Sequence, residues 1–520
     1  MIVCVPRTAR LEAVVWACAI AAGALVCLPG VWWEPLHLDE RVMLQFARGS
    51  PWSILDNVFI ERGGAPAQFL VERITLAWPG GLAGLRLPSL LFFLASLPCA
   101  GLLARRLAGR AESLAVPPLL ALAPLAVGLA TFARMYALFL LLVLVASLVA
   151  IRAGRDRSRN WWIAAGAFAA GLVYVHPIAP LYIAPALACG LAVSDVSLRE
   201  TLVDARPGLV AGAVVGLPYL YALAVLRSRY GVGEAGPIST TAGRTVAEEA
   251  FRSLSPAGVL GLVAFVGLAI AGTVQLGRER PRAAVVLAGW VLLPVAFFTI
   301  IPAETRFFGR YLLPALPAFL ILVTAGFRLF GRRRPVILAL VAAAIALEAG
   351  ADADRVRGLY DLDLRALPRI ASDQVLFSST GTPASRPPEL LDDLIALRTG
   401  RLNRLEELPA VDPRYEHGLL QKGVRNVHAF LGRTGGGLHG VWVFRGPPRR
   451  VRAAERRLTR RADVSTSRVG DQFLVVTSRR ALEPRQLIEL GVMVREAWGT
   501  GTPADRWPRL LVAIDERALG

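Results

Sequence analysis

A mainly α-helical, polytopic transmembrane bundle followed by a small C-terminal α/β domain is the fold class that this sequence predicts. Three observations lead there. The chain of 520 residues is 55% hydrophobic and only 19% charged, with a mean hydropathy of +0.51, whereas a water-soluble domain carries about 25% charged residues. Its apolar residues fall into about eleven runs close to the roughly 20 residues that a helix needs to cross a bilayer. Its arginines collect in alternate connections between those runs, as expected of a chain that crosses a membrane repeatedly.

The first run, Leu11 to Val31, follows Arg7 and Arg10, lacks a clean small-x-small cleavage site and precedes further spans, so it reads as a retained anchor rather than a signal peptide. A long outer connection, residues 32 to 84, comes next. Further spans follow at Leu85 to Ala104, Ser113 to Thr131, Met135 to Ile151, Trp161 to His176 and Pro177 to Val193. The last five are Gly208 to Leu226, Pro256 to Leu276, Ala283 to Ile301, Tyr311 to Leu329 and Val336 to Gly350.

With the N-terminus inside, the short inner connections hold Arg105, Arg106 and Arg110; Arg152, Arg155, Arg157 and Arg159; Arg199 and Arg206; Arg278, Arg280 and Arg282; and Arg332, Arg333 and Arg334. Every one obeys the positive-inside rule. An odd number of spans then leaves residues 351 to 520 extracytoplasmic, as expected of a multi-pass protein of the plasma (inner) membrane. The final span is the short, Ala-rich one, and if it does not cross, the tail is cytoplasmic.

Two domains are therefore expected, a transmembrane domain over 1–350 and a soluble domain over 351–520. The latter mixes β-type runs (Gln374 to Ser378, Gly440 to Phe444, Gln472 to Thr477) with helical ones (Pro388 to Leu397, Arg450 to Arg461, Pro484 to Trp498). Its arginine-rich stretch from Arg449 to Arg461 reads first as a solvated helix face and second as a surface for anionic lipid.

The net charge is +19, yet Lys422 is the only lysine. Such replacement of Lys by Arg, beside heavy Ala, Gly and Pro use, is a compositional bias and gives no argument for nucleic acid as a partner. The five cysteines, Cys4, Cys18, Cys27, Cys99 and Cys189, form no CxxC pair and mostly sit in apolar runs as small hydrophobes.

Polar residues at the outer ends of the spans carry the chemistry. After the first span come Trp32 and Trp33, suited to the interface, and then His37, Asp39 and Glu40. Arg134 and Tyr136 stand at the head of the fourth span, and Tyr174 and His176 at the turn after the fifth. Arg306 and Arg310 precede Tyr311 at the head of the tenth. If helical, their i, i+4 spacing puts two forked guanidiniums on one face, a geometry that suits phosphate. Read singly, each is equally well an interfacial loop residue or an arginine that snorkels to the headgroups. Their convergence on one side of the membrane favours a common site. A transporter would instead place ionisable groups near mid-bilayer in broken helices of paired repeats, and no such repeat is seen.

The ordered set HLDERVMLQFARG (37–49), LRLPSLLF (85–92), ATFARMYALFLLL (130–142), GLVYVHPIAPLY (171–182) and RYLLPALPAF (310–319) resembles the GT-C superfamily of membrane glycosyltransferases over roughly residues 10 to 350. The branch it is most similar to contains protein O-mannosyltransferase-like and lipid A aminoarabinose transferase-like enzymes. The resemblance implies transfer of a sugar from a polyprenyl-phosphate carrier to a glycan, lipid or protein acceptor on the extracytoplasmic face, by single displacement with inversion.

Carried over by position, Asp39 is the general base and Glu40 its support. Arg134, Arg306 and Arg310 bind the carrier phosphate, and Tyr136, His176 and Tyr311 line the sugar–phosphate pocket. No cofactor is expected to be required. A divalent metal would find N/O ligands in His37, Asp39, Glu40 and His176, but two arginines can neutralise a departing phosphate without an ion. The chain departs from the family at Ala65-Pro66-Ala67-Gln68-Phe69, where a Pro-Leu-Tyr-like segment is usual and only Pro66 matches. The sugar or acceptor pocket is therefore expected to differ. The alternatives are a non-catalytic polytopic protein that binds or transports lipid-linked saccharide, and a sensor or scaffold whose soluble domain is the working part.

Overall fold

The computed structural model describes residues 7–33, 40, 43, 46–47, 49–60, 65–76, 82–230, 250–251, 254, 258–300, 309–334, 336–345, 374–377, 404–405, 439–445, 448–469, 473–482, 486, 490, 493–494 and 497. The chain forms two compact units, one of Met1–Glu34 with Val42–Tyr360 and the other of Pro35–Arg41 with Asp361–Gly520.

Among the described residues of the first unit, the regular elements are all helices. Helix α1 (Arg7–Trp33) is followed by a short α2 (Pro51–Ile54), which runs on as a π turn over Leu55–Ile60, and by α3 (Ala67–Thr75). Then come α4 (Leu82–Leu107), α5 (Arg110–Leu122), α6 (Pro124–Ala130), α7 (Tyr136–Asp156), α8 (Arg159–Gly171), α9 (Pro180–Val193) and α10 (Leu198–Tyr230). The unit closes with α11 (Gly258–Glu279), α12 (Pro281–Ile300), α13 (Leu316–Gly326) and α14 (Val336–Ile345). The apolar runs of the sequence fall in these helices, and among the described residues seven are long and apolar enough to cross a membrane.

The expected span Ser113 to Thr131 differs, because it is two helices, α5 and α6, bent by 60°. Proline disfavours helical torsions in the residue before it, and Ala123, which precedes Pro124, is extended with φ −62° and ψ 127°. The other short members are α8, α9 and α14.

The arginine-rich connections meet at one end of the unit. Arg105 and Arg110 pair with Glu12 near the start of α1, and Arg280 donates to the Arg106 carbonyl at 3.1 Å. Arg282 donates to the carbonyls of Ser194 and Val196, and Arg157 bonds Asp204 at 2.9 Å. The buried Glu112 carboxylate accepts from Arg328 at 3.0 Å and from Arg334 at 2.7 Å. A buried carboxylate is tolerated only when paired and hydrogen-bonded, and here two guanidiniums do so. Near the far end of α1, the Gly30 carbonyl accepts from Arg86 at 2.8 Å, which fixes the start of α4 at the opposite end of the bundle.

Helices pack closely where small residues face one another. A Cβ on Gly166 of α8 would overlap the Gly208 carbonyl of α10, and one on Gly208 would overlap the Trp162 carbonyl. Gly166→Val is therefore expected to force the two helices apart and to destabilise the unit by about 3 kcal/mol. A thermal melt in detergent should show a lowered midpoint, with Gly216→Val, whose Cβ meets nothing within 4 Å, as the unaffected control.

The second unit carries a five-stranded mixed sheet in the order β2-β1-β3-β5-β4. Its strands are β1 (Gln374–Phe377), β2 (Arg404–Leu405), β3 (His439–Arg445), β4 (Val464–Val469) and β5 (Phe473–Ser478). β1 runs parallel to β2 and β3, while β5 is antiparallel to both β3 and β4. Helix α15 (Pro448–Leu458) buries Val451, Ala454 and Leu458 at i, i+3 and i+7, so the arginine-rich stretch is an amphipathic helix with Arg449, Arg452, Arg456 and Arg457 exposed. Arg461 and Asp463 form a two-bond pair at 3.1 Å, and that guanidinium holds the Asp463 carboxyl below its ordinary range. The expected helix Pro388 to Leu397 lies outside the described residues, as does most of Pro484 to Trp498.

Candidate active site

Three chain segments meet at the end of the bundle opposite the arginine-rich connections. The first is the turn Thr131–Met135 that leads into α7, tightened by a bond from the Arg134 N–H to the Phe132 carbonyl at 2.6 Å. It delivers a half-buried Arg134 and, at the first position of α7, a buried Tyr136.

The second segment is the end of α8. The helix tightens into a 3₁₀ turn at Leu172–Tyr174, and Pro177 and Pro180, which lack an N–H, delay the next helix until α9. His176 sits in this break and is 3% exposed. Its Nδ1 accepts the Ile178 N–H at 3.1 Å. An accepting Nδ1 fixes the neutral tautomer with the proton on Nε2. That Nε2 is buried and has no hydrogen-bond partner among the described residues.

The third segment is the 3₁₀ stretch Gly309–Ala315, where Pro314 and Pro317 set a tighter helix ahead of α13. Tyr182 of α9 donates its hydroxyl to the Tyr311 carbonyl at 2.6 Å, tying two segments 129 residues apart. Burial pays no penalty for that phenol because its proton is used.

The rings close around His176. Its centroid lies 5.4 Å from Tyr136, 5.2 Å from Phe139 and 5.6 Å from Tyr311. Phe298 stacks on Tyr311 at 5.7 Å, and Phe139 meets Tyr182 edge-on at 5.5 Å. The Arg310 guanidinium stands over the Tyr136 ring, 5.6 Å from its centroid, in cation–π geometry. Arg134 and Arg310 both lie close enough to act electrostatically on the imidazole. A neutral N–H donor within electrostatic reach of two guanidiniums and flanked by aromatic rings is chemically suited to an anion with an apolar or sugar-like neighbour.

Five of the eight residues singled out in the sequence, Arg134, Tyr136, His176, Arg310 and Tyr311, are thus brought together from three separate stretches of chain. Asp39 and Arg306 lie outside the described residues, and so does His37. Glu40 is described and buried. Phe139, Tyr182 and Phe298 were missed by sequence reasoning. Phe139 follows Tyr136 by one helical turn and Tyr182 closes the GLVYVHPIAPLY stretch, so both carried a positional signal, whereas Phe298 carried none. Among the described residues, no group of three or more His, Cys, Asp or Glu side chains could hold a metal ion.

The sequence matches no family model and no curated protein. Among solved structures, the chain is similar to ArnT from Cupriavidus metallidurans bound to undecaprenyl phosphate, with a TM-score of 0.54 and 15% identity over 89% of this chain and 97% of that one. The apo state of the same ArnT gives a TM-score of 0.53 at 15% identity, covering 89% of this chain and 98% of that one. The chain is a multi-pass membrane protein with the fold of ArnT.

Proposed function

We propose that this protein is an integral-membrane glycosyltransferase that moves a sugar from a polyprenyl-phosphate carrier to an acceptor hydroxyl on the extracytoplasmic face, with inversion at the anomeric carbon. The observation that carries the reading is the His176 site, in which a buried Nε2–H with no partner among the described residues lies within electrostatic reach of the Arg134 and Arg310 guanidiniums. The ArnT of like fold binds undecaprenyl phosphate, which supports a carrier of that class here. The segregation of the arginine-rich connections to the other end supports an extracytoplasmic site.

The acceptor oxygen attacks the anomeric carbon from the face opposite the phosphate. As the bond from that carbon to the phosphate oxygen breaks, the carrier phosphate goes from one negative charge to two, and the hydroxyl proton passes to the Asp39 carboxylate. Glu40 supports Asp39. Arg134, Arg306 and Arg310 stabilise the charge that builds on the phosphate, and donors fixed before the reaction need no reorganisation during it. Tyr136 and Tyr311 flank the sugar–phosphate junction. No metal is needed for this charge balance. The alternative, a protein that only binds or moves lipid-linked saccharide, would use the same pocket but not Asp39.

The test is binding of bare polyprenyl phosphate, with the uncharged polyprenol as control, to purified protein in lipid. Wild type should bind the phosphate and discriminate against the alcohol. His176→Phe keeps a ring in the aromatic cage but removes the N–H, and should weaken phosphate binding roughly tenfold, the worth of one hydrogen bond to a charged group. Equal binding of phosphate and alcohol would sink the pocket assignment.

A further inference from the structure

The first outer connection holds a polar site that the phosphate chemistry leaves unused. Helix α3 buries polar side chains beside Phe69. Gln68 and Glu72 are 0% exposed, while Ile74 is 66% exposed. Gln68, Glu72 and Thr75, at i, i+4 and i+7, share the buried face. Burial of such groups is costly unless every polar atom is used.

The Gln68 Nε2 donates to Glu72 Oε1 at 2.6 Å, and Thr75 Oγ1 lies 3.4 Å from Glu72 Oε2. The bond to a carboxylate sets the amide's orientation, because a flipped amide would turn its oxygen onto the carboxylate. The remaining atom, Gln68 Oε1, is buried and has no partner among the described residues.

This helix belongs to the same end of the bundle as the His176 pocket. α3 packs against α2 and α4, and Ala67 and Val71 of α3 pack on the main core. Phe59, in the π turn that follows α2, contacts Tyr174 at 5.6 Å, two residues before His176. The two sites differ in chemistry. The pocket around His176 presents donors and positive charge, whereas α3 presents an amide oxygen that can only accept. Such an atom has no proton to give a phosphate, and an isoprenoid tail offers it no donor. A sugar hydroxyl does.

We propose that Gln68, oriented by Glu72, forms a carbohydrate-hydroxyl site in which Gln68 Oε1 accepts a hydrogen bond from a sugar hydroxyl. Its role in the reaction rests on the transferase reading above, the hydroxyl belonging to either the donor sugar or the acceptor glycan. The binding event itself does not depend on that reading.

The experiment uses the full chain in lipid nanodiscs, wild type against Gln68→Met, which keeps the length of the side chain and removes its oxygen. Gln68→Asn, which keeps the amide but withdraws it by one methylene, serves as the second variant. Saturation-transfer NMR is recorded with a panel of methyl pentosides and hexosides at millimolar concentration. At least one glycoside should give a wild-type signal that falls fivefold or more in Gln68→Met and in part in Gln68→Asn. A wild-type protein that takes no glycoside, or equal signals in all three proteins, overturns the proposal.

Bare polyprenyl phosphate binding, equal in the three proteins, reports an intact fold. If wild type does not bind the bare carrier but the glycoside result holds, the carrier reading fails and the hydroxyl site stands. A raised Kd for sugar-bearing carrier alone assigns the hydroxyl to the donor, and a raised acceptor KM at unchanged donor Kd assigns it to the acceptor.

Discussion

Replacing Asp39 by asparagine is expected to lower the rate of sugar transfer by about 10²- to 10⁴-fold, the range over which a positioned general base acts, while the Kd for sugar-bearing carrier changes less than about threefold. Asparagine keeps the size and one carbonyl of the side chain but cannot take the acceptor's proton. The effect belongs to kcat, because the proton moves only as the acceptor oxygen bonds to the anomeric carbon. Single-turnover release of radiolabelled sugar measures the rate, and equilibrium binding of the same carrier measures the Kd. A parallel fall in binding would make Asp39 a donor-binding residue instead. A protein that only binds or transports saccharide would retain its activity in the variant.

Arg310→Met is the second substitution with a large effect, about 10²- to 10³-fold in kcat/KM for the carrier-linked sugar, comparable with removing one preorganised donor to a developing oxyanion. Arg310 is held over the Tyr136 ring at 5.6 Å, and Tyr182 fixes the backbone of the residue after it. The guanidinium is therefore placed before substrate arrives. Arg310→Lys should recover only part of the loss, because an ammonium supplies charge without the planar fork and stacks less well on the ring. Full recovery by lysine would mean that charge alone, and not geometry, is read at this position. The two substitutions separate the two halves of the reaction, since one spares carrier binding and the other weakens it.

The spans were legible because bilayer thickness demands long apolar runs, and no folding detail changes that demand. The gathering of Arg134, His176 and Arg310 was legible for a related reason. Each stands at the end of a span, and alternation of the arginine-rich connections puts those ends on one side. What hydropathy cannot express is a bend that leaves composition intact, so the break at Ala123 before Pro124 was invisible as a change of direction. The bond from Tyr182 to the Tyr311 carbonyl joins residues 129 apart, and only packing of α9 against the 3₁₀ stretch reveals it.

Helix α3 lies within the stretch 32–84, which the sequence presents only as a long connection, so neither the helix nor its buried Gln68 and Glu72 was legible there. In the second unit, β4 was missed because VSTSRV is polar, as an edge strand with an open face is allowed to be.

The most direct measurement incubates purified wild-type protein in lipid with a panel of radiolabelled polyprenyl-phosphate sugars and cell-envelope extract as acceptor, and follows release of sugar from the carrier beside Asp39→Asn. A glycosyltransferase consumes one donor in the wild type, leaves it intact in the variant, and yields a product of inverted anomeric configuration. Carrier bound equally by both proteins, with no donor consumed by either across the panel and the extract, would contradict the transferase assignment and leave a lipid-linked saccharide binder in its place.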